Sequence, residues 1–197
     1  MNKVICVYSS SSQSIDEVYF NAARELGSKI AKRGDTFLFG GGLTGLMGTC
    51  ARAVHKNNGK VVGIIPKALN IKGVVYENCD ELVETSSVRE RKAKMDELSD
   101  SFIALPGGYG TLEELLEIIT LKQLKYHNKP IVIINTNGFF DFLIKQFERT
   151  INENFAKKEC RDLYYVTDNI DKAINYIDNY TPFNCSDRWL TDLDKQQ

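Results

Sequence analysis

Short apolar runs, each broken by a glycine, proline or serine turn and followed by a longer stretch with helical spacing, recur along the chain. Val4, Ile5, Cys6, Val7 and Tyr8 form the first, and Thr36, Phe37, Leu38 and Phe39 the second. Residues 60–65 form the third, stopped by Pro66; residues 101–105 and 130–135 are two more, with shorter candidates at 80–84 and 164–167. Runs that are continuously apolar rather than alternating are strands buried on both faces. Between them, Val18, Ala22, Leu26 and Ile30 repeat at i, i+4 over residues 15–33, which is helical spacing. A second helix runs to about residue 56, and others cover 87–98, 111–127, 139–154 and 170–180, leaving 67–77 irregular. Strictly alternating strands and helices predict the α/β class: a parallel sheet covered by helices on both faces, with ligands beyond the carboxyl ends of the strands. With no internal repeat or low-complexity linker, residues 1–180 read as a single domain, followed by a polar tail at 181–197.

Composition removes several functions. Among 197 residues, 25 Lys plus Arg stand against 26 Asp plus Glu, a balance unlike that of a non-specific nucleic-acid binder. The five cysteines, Cys6, Cys50, Cys79, Cys160 and Cys185, show no CxxC spacing, so neither a zinc site nor a disulfide framework is indicated. No apolar run approaches the ~20 residues of a membrane span. The first strand starts at once, leaving no room for a signal peptide, and the expectation is a soluble cytoplasmic protein.

Two glycine-rich turns lie at strand ends. Leu105, Pro106, Gly107, Gly108, Tyr109, Gly110 and Thr111 join a buried strand to a helix. Such a turn presents free backbone N–H groups and the positive end of a helix dipole, a site for an anion and most often phosphate. Gly40, Gly41, Gly42, Gly45, Met47 and Gly48 form the other turn. It matches neither the dinucleotide fingerprint nor the P-loop; it reads either as a packing turn or as part of a nucleotide site. Ser9, Ser10, Ser11 and Ser12 make a third polar turn at a strand end.

Acidic residues follow the first of these turns. Thr111 and Glu114 fit a capping box. A carboxylate beside a bound phosphate is repelled by it, however, so it also suggests a group serving a sugar hydroxyl or an attacking water. On the helix of residues 87–98, Val88, Met95 and Leu98 share a face with Arg91 at its centre and Lys92 at its edge. An arginine on an apolar stripe requires an anion: an internal partner such as Glu114 or Glu117, or a ligand. The helix after Thr111 points Leu112, Leu115, Leu116 and Ile119 one way and Ile118, Leu121 and Leu124 others. Being apolar nearly all round, it predicts a subunit interface and a symmetric homodimer. His55 and His127 are isolated and read as surface or capping residues.

With these motifs in view, the chain from Val4 to about Tyr180 resembles the LONELY GUY family of cytokinin-activating phosphoribohydrolases, once labelled "lysine decarboxylase-like". The resemblance rests on Gly40–Gly41–Gly42 with Gly45–Leu46–Met47–Gly48, on Arg91–Lys92, and on Pro106 through Thr111 with Glu114. It implies a Rossmann-like fold, usually dimeric, and hydrolysis of the N-glycosidic bond of a nucleoside 5′-monophosphate to free base and ribose 5-phosphate. The substrate class it implies is AMP or an N6-modified AMP. By the resemblance, Arg91 and Glu114 are the catalytic pair. Lys92, Gly107, Gly108, Tyr109, Gly110, Thr111 and Thr120 are substrate contacts, joined by Gly41, Gly42, Gly45, Met47 and Ser11 from the other two turns. This chemistry calls for no metal or redox cofactor, no nucleic acid and no membrane, and no lysine sits in a pyridoxal-phosphate setting.

Two departures stand out. Seven residues beyond Pro66, where family members commonly carry a substrate-site glutamate, this chain has Gly73. Glu77 could replace that glutamate only with a rearranged loop. The opening serine run also lacks the glycine that many relatives have near Ser10. Both departures bear on base preference more than on the bond cleaved. A non-catalytic nucleotide-binding protein on the same fold is the alternative reading.

Overall fold

A computed structural model describes residues 2–182; the polar tail beyond them, with Cys185 and Trp189, lies outside the described residues. The apolar runs form strands β1 (Val4–Tyr8), β2 (Thr36–Phe39), β3 (Lys60–Pro66), β4 (Glu81–Thr85), β5 (Ser101–Ala104), β6 (Ile131–Ile134) and β7 (Tyr165–Thr167). All neighbours pair in parallel, in the order β4-β3-β2-β1-β5-β6-β7. The chain winds outward from β1 in one direction to β4, then returns to β5 and winds outward in the other. The switch point between β1 and β5 is where open α/β sheets bind ligands.

The helices are α1 (Glu17–Lys32), α2 (Gly45–Lys56), α3 (Val88–Leu98), α4 (Tyr109–Gln123), α5 (Asp141–Asn152) and α6 (Ile170–Asp178). Alternate strand residues feed two cores. Ile5, Val7, Phe37, Phe39, Ile103 and Val132 pack with α1, α2 and α6. Cys6, Tyr8, Leu38, Ile64, Phe102 and Ile133 pack with Met95 of α3, Leu115 and Ile118 of α4 and, more loosely, with α5. This is the Rossmann-like parallel α/β sheet, covered on both faces, that the alternation predicts. Among the described residues no helix is long and apolar enough to cross a membrane.

The structure corrects the finer sequence reading in several places. The nominally irregular segment contains a 3-10 turn at Lys67–Leu69, and another at Lys158–Leu163 precedes β7. Helix α4 starts at Tyr109, two residues earlier than expected, because Gly108 is its N-cap. Its buried face is Thr111, Glu114, Leu115, Ile118 and Lys122, whereas Leu116 is 42 % exposed. The stripe is thus rotated from the predicted one. On α3 only Met95 is fully buried, and Val88, in the first turn beside the cap, is exposed.

Candidate active site

The carboxyl ends of β1, β2, β3 and β5 and the loops that follow them enclose a cavity of about 650 Å³. Each wall has a local cause. After β1 the chain bends through Ser9 to Ser12, and the Ser10 carbonyl accepts from Leu46 N at 2.9 Å and Met47 N at 3.3 Å, locking this loop onto the start of α2. The contact needs Gly45. With φ of +61°, a Cβ there would sit 2.4–2.7 Å from the backbone of Ser10, Ser11 and Ser12, closer than any side chain tolerates. After β2, Gly40, Gly42, Thr44 and Met47 line the cavity; after β3, Leu69, Gly73 and Val74 complete an apolar side with Ile65. That last loop is pinned by Leu43 N donating to Val74 O (2.8 Å) and Tyr76 N to Gly41 O (2.8 Å).

The β5 side carries the charge chemistry. Within α4 the first i→i−4 bond runs from Leu112 N to Gly108 O at 3.0 Å. The N–H groups of Tyr109, Gly110 and Thr111 therefore precede the helical ladder, and these three residues with Gly108 line the cavity. Backbone N–H groups and the positive end of a helix dipole together suit an anion. Thr111 is buried in the third helical position, and α4 has no side-chain cap bond, so the expected Thr111–Glu114 capping box does not form. A related cap closes α3 instead, where the N-cap Ser87 Oγ accepts from Glu90 N (3.2 Å) and Glu90 Oε2 accepts from the N–H of the preceding Ser86 (2.7 Å). The capped start of α3 fixes the helix from which Arg91 projects.

Glu114 is 8 % exposed and lines the cavity one turn into α4. Arg91 Nη2 donates to its Oε1 at 2.5 Å. Burial pushes the Glu114 carboxyl up to about 7; Arg91 and Lys92 pull it down, Glu113 and Glu117 push it up, and burial outweighs the rest. Arg91 is thus paired internally with Glu114, and it also lines the cavity. Its Nε is buried with no hydrogen-bond partner among the described residues.

Of the other residues singled out in the sequence, Ser11, Gly42, Met47, Gly108, Tyr109, Gly110 and Thr111 line the cavity, with Tyr109 93 % exposed at its mouth. Gly41, Gly45 and Gly107 lie behind the wall; Gly41 abuts Ile65, and Thr111 covers Gly107. Lys92 does not line the cavity but pairs with Glu113 and, at 2.8 Å, with Glu117, tying α3 to α4. Thr120 is exposed, its hydroxyl donating to Leu116 O at 2.7 Å. Gly73 reaches the cavity with φ of +85° and open space around its missing Cβ. Glu77 is exposed and not among the lining residues, so it does not stand in for the missing glutamate. His55 bonds Tyr76 and Asp80 away from the cavity, and His127 bonds Ile118 O. Sequence reasoning marked Ser9 and Thr44 only as members of their polar and glycine-rich turns and passed over Ile65, Leu69 and Val74; the folded loops bring all five to the cavity.

A doubly wound parallel sheet with a cavity at its switch point, walled by a helix N-terminus and a buried Arg–carboxylate pair, defines a Rossmann-like protein. The family model described as "Possible lysine decarboxylase" matches residues 47–177. The chain is 37 % identical over 199 residues to the cytokinin riboside 5′-monophosphate phosphoribohydrolase LOG5 of Arabidopsis thaliana, covering 99 % of this chain and 87 % of that one. It is 40 % identical over 178 residues to LOG of Oryza sativa subsp. japonica, which carries the same description, covering 90 % and 74 %. Among solved structures, the molybdenum cofactor binding protein of Rippkaea orientalis superposes with TM-score 0.69 at 23 % identity, over 90 % of this chain and 96 % of that one. The molybdenum cofactor carrier protein of Chlamydomonas reinhardtii gives 0.66 at 19 %, over 90 % and 97 %; these two show the fold. The chain belongs to the LONELY GUY (LOG) family.

Proposed function

We propose that the protein hydrolyses the N-glycosidic bond of a nucleoside 5′-monophosphate, AMP or an N6-modified AMP such as a cytokinin riboside monophosphate, releasing free base and ribose 5-phosphate. The observation that carries this reading is a buried carboxylate, Glu114, held by Arg91 one turn below the free N–H groups of α4. A phosphate seated on Gly108 to Thr111 leaves the sugar facing Glu114 and the base facing Ile65, Leu69 and Val74. As the bond from the anomeric carbon to the base nitrogen breaks, positive charge develops on the ribose. An ionised Glu114 stabilises that charge and accepts a proton from the attacking water, whose oxygen bonds to the anomeric carbon while the base leaves and takes up a proton. Arg91 orients Glu114 and keeps part of it ionised. The residues required are all side chains and backbone of this chain, with no cofactor. Incubation with a panel of nucleotides, scored for free base and ribose 5-phosphate, tests the reaction; binding without turnover would favour a non-catalytic nucleotide-binding protein.

We further propose a cytoplasmic homodimer formed across the outer face of α4, where Leu116, Leu124 and nearby Tyr126 are exposed. Thr120 shares that face, so any substrate contact it makes runs through the interface. Lys92 acts on the site from behind, through the carboxylates of α4. The catalytic unit is residues 1–180.

A further inference from the structure

Ser9 directly follows β1 at the switch point and is 7 % exposed. It lines the cavity, and its Oγ is buried with no hydrogen-bond partner among the described residues. Two other hydroxyls of cavity-lining residues are engaged within the protein: Ser10 Oγ accepts from Ser12 N at 3.0 Å, and Thr44 Oγ1 donates to Ser11 O at 2.8 Å. Buried hydroxyls are nearly always satisfied, and one left over inside a ligand cavity is explained most simply by a ligand atom. Of the other residues with such an atom, Arg91 also lines the cavity, while Ser101, Lys122 and Thr136 do not.

Sheet order indicates which part of the ligand Ser9 meets. The phosphate end of the cavity lies beyond β5, at Gly108 to Thr111, and the apolar end lies beyond β3, at Ile65, Leu69 and Val74. In the order β3-β2-β1-β5 these ends are three strand spacings apart, about 14 Å, and β1 stands between them. A nucleotide stretched along this line places its sugar at the end of β1. We infer that Ser9 is a further substrate-positioning residue, its hydroxyl bonding the 2′- or 3′-hydroxyl of the ribose. This rests on the proposed phosphoribohydrolase reading and adds to it a means of telling ribose from deoxyribose.

The test compares AMP, 2′-deoxy-AMP and 3′-deoxy-AMP as substrates of the full chain and of Ser9→Ala, with Ser9→Gly as a second variant. The intrinsic reactivity of each sugar cancels when the ribo-to-deoxy ratio of kcat/KM is compared between proteins. For one of the two deoxy substrates the ratio should fall about three- to tenfold on losing the hydroxyl, while the thermal midpoint stays the same or rises, because no internal bond is lost. Unchanged ratios for both substrates would overturn the inference and leave Ser9 facing water only. A lowered midpoint with unchanged ratios would overturn it in favour of a structural role. Should the parent prove unable to cleave AMP, the same ratios taken from calorimetric dissociation constants still test Ser9, so its failure and that of the hydrolase reading remain distinguishable.

Discussion

Arg91 Nη2 donates to Glu114 Oε1 at 2.5 Å, joining α3 to α4 at the wall of the cavity. The pair is nearly removed from water, with side chains 15 % and 9 % exposed. Burial prevails over the arginine, and Glu114 titrates near 7 rather than in the usual carboxylate range.

A carboxyl that must be ionised to act, and that titrates at about 7, gives activity that rises with pH. We expect kcat/KM for AMP to increase through pH 7 and level off above it, since this parameter reports the free enzyme. A profile flat from pH 5 to 9 would separate Glu114 from the chemistry.

The same shift has a consequence for stability. The folded state holds the Glu114 proton more tightly than the unfolded state, so the stabilisation is complete below the ordinary value of 4.5 and is lost as pH rises through about 7. The contribution is about 3 kcal/mol. Urea unfolding across this range should show Glu114→Gln becoming more stable relative to the parent as pH rises. No relative change would mean that the carboxyl is not shifted.

Arg91 draws the Glu114 titration downward. Arg91→Met should therefore move the acid limb of the pH–rate profile above 7 and cost about 10²-fold in kcat/KM. A uniform loss with the limb in place would assign Arg91 to substrate contact alone.

Gly45 is fixed by both φ and crowding against Ser10 to Ser12. Gly45→Ala should cost roughly 2 kcal/mol or more in denaturant unfolding and weaken nucleotide binding, because the displaced loop carries Ser9 and Ser11. Gly73→Ala meets no atoms and bears only the backbone cost of positive φ, about 1 kcal/mol.

If the outer face of α4 joins two copies, Leu116→Glu should halve the mass measured by sedimentation equilibrium while leaving the circular dichroism of the fold unchanged. A monomeric parent would remove the dimer from the account.

The legible parts of this molecule were those written in contiguous residues. The buried strands at 4–8 and 101–104 and the glycine turn into α4 follow from local apolarity and backbone freedom. Arg91 stood out because a cation on an apolar stripe needs a partner, even though Val88 of that stripe proved exposed. The S-x-x-E pattern at Ser87 and Glu90 caps its helix and the similar one at Thr111 and Glu114 does not, because Gly108 starts α4 early and Arg91 engages Glu114. Ser9, Thr44 and the pair Leu69 and Val74 come from three separate loops, and no periodicity connects them; only the sheet order brings them to one cavity. Lys92 and Thr120, named through the resemblance, sit outside that cavity because α3 and α4 turn them toward Glu113 and Glu117 or toward solvent.

The central claim is that Glu114 is the reactive group, and Glu114→Gln, which keeps its shape and an acceptor for Arg91, tests it most directly. With AMP as substrate and free adenine as readout at pH 8, the variant should lose about 10²- to 10⁴-fold in turnover while still binding AMP. Adenine released at the parent rate would contradict the account.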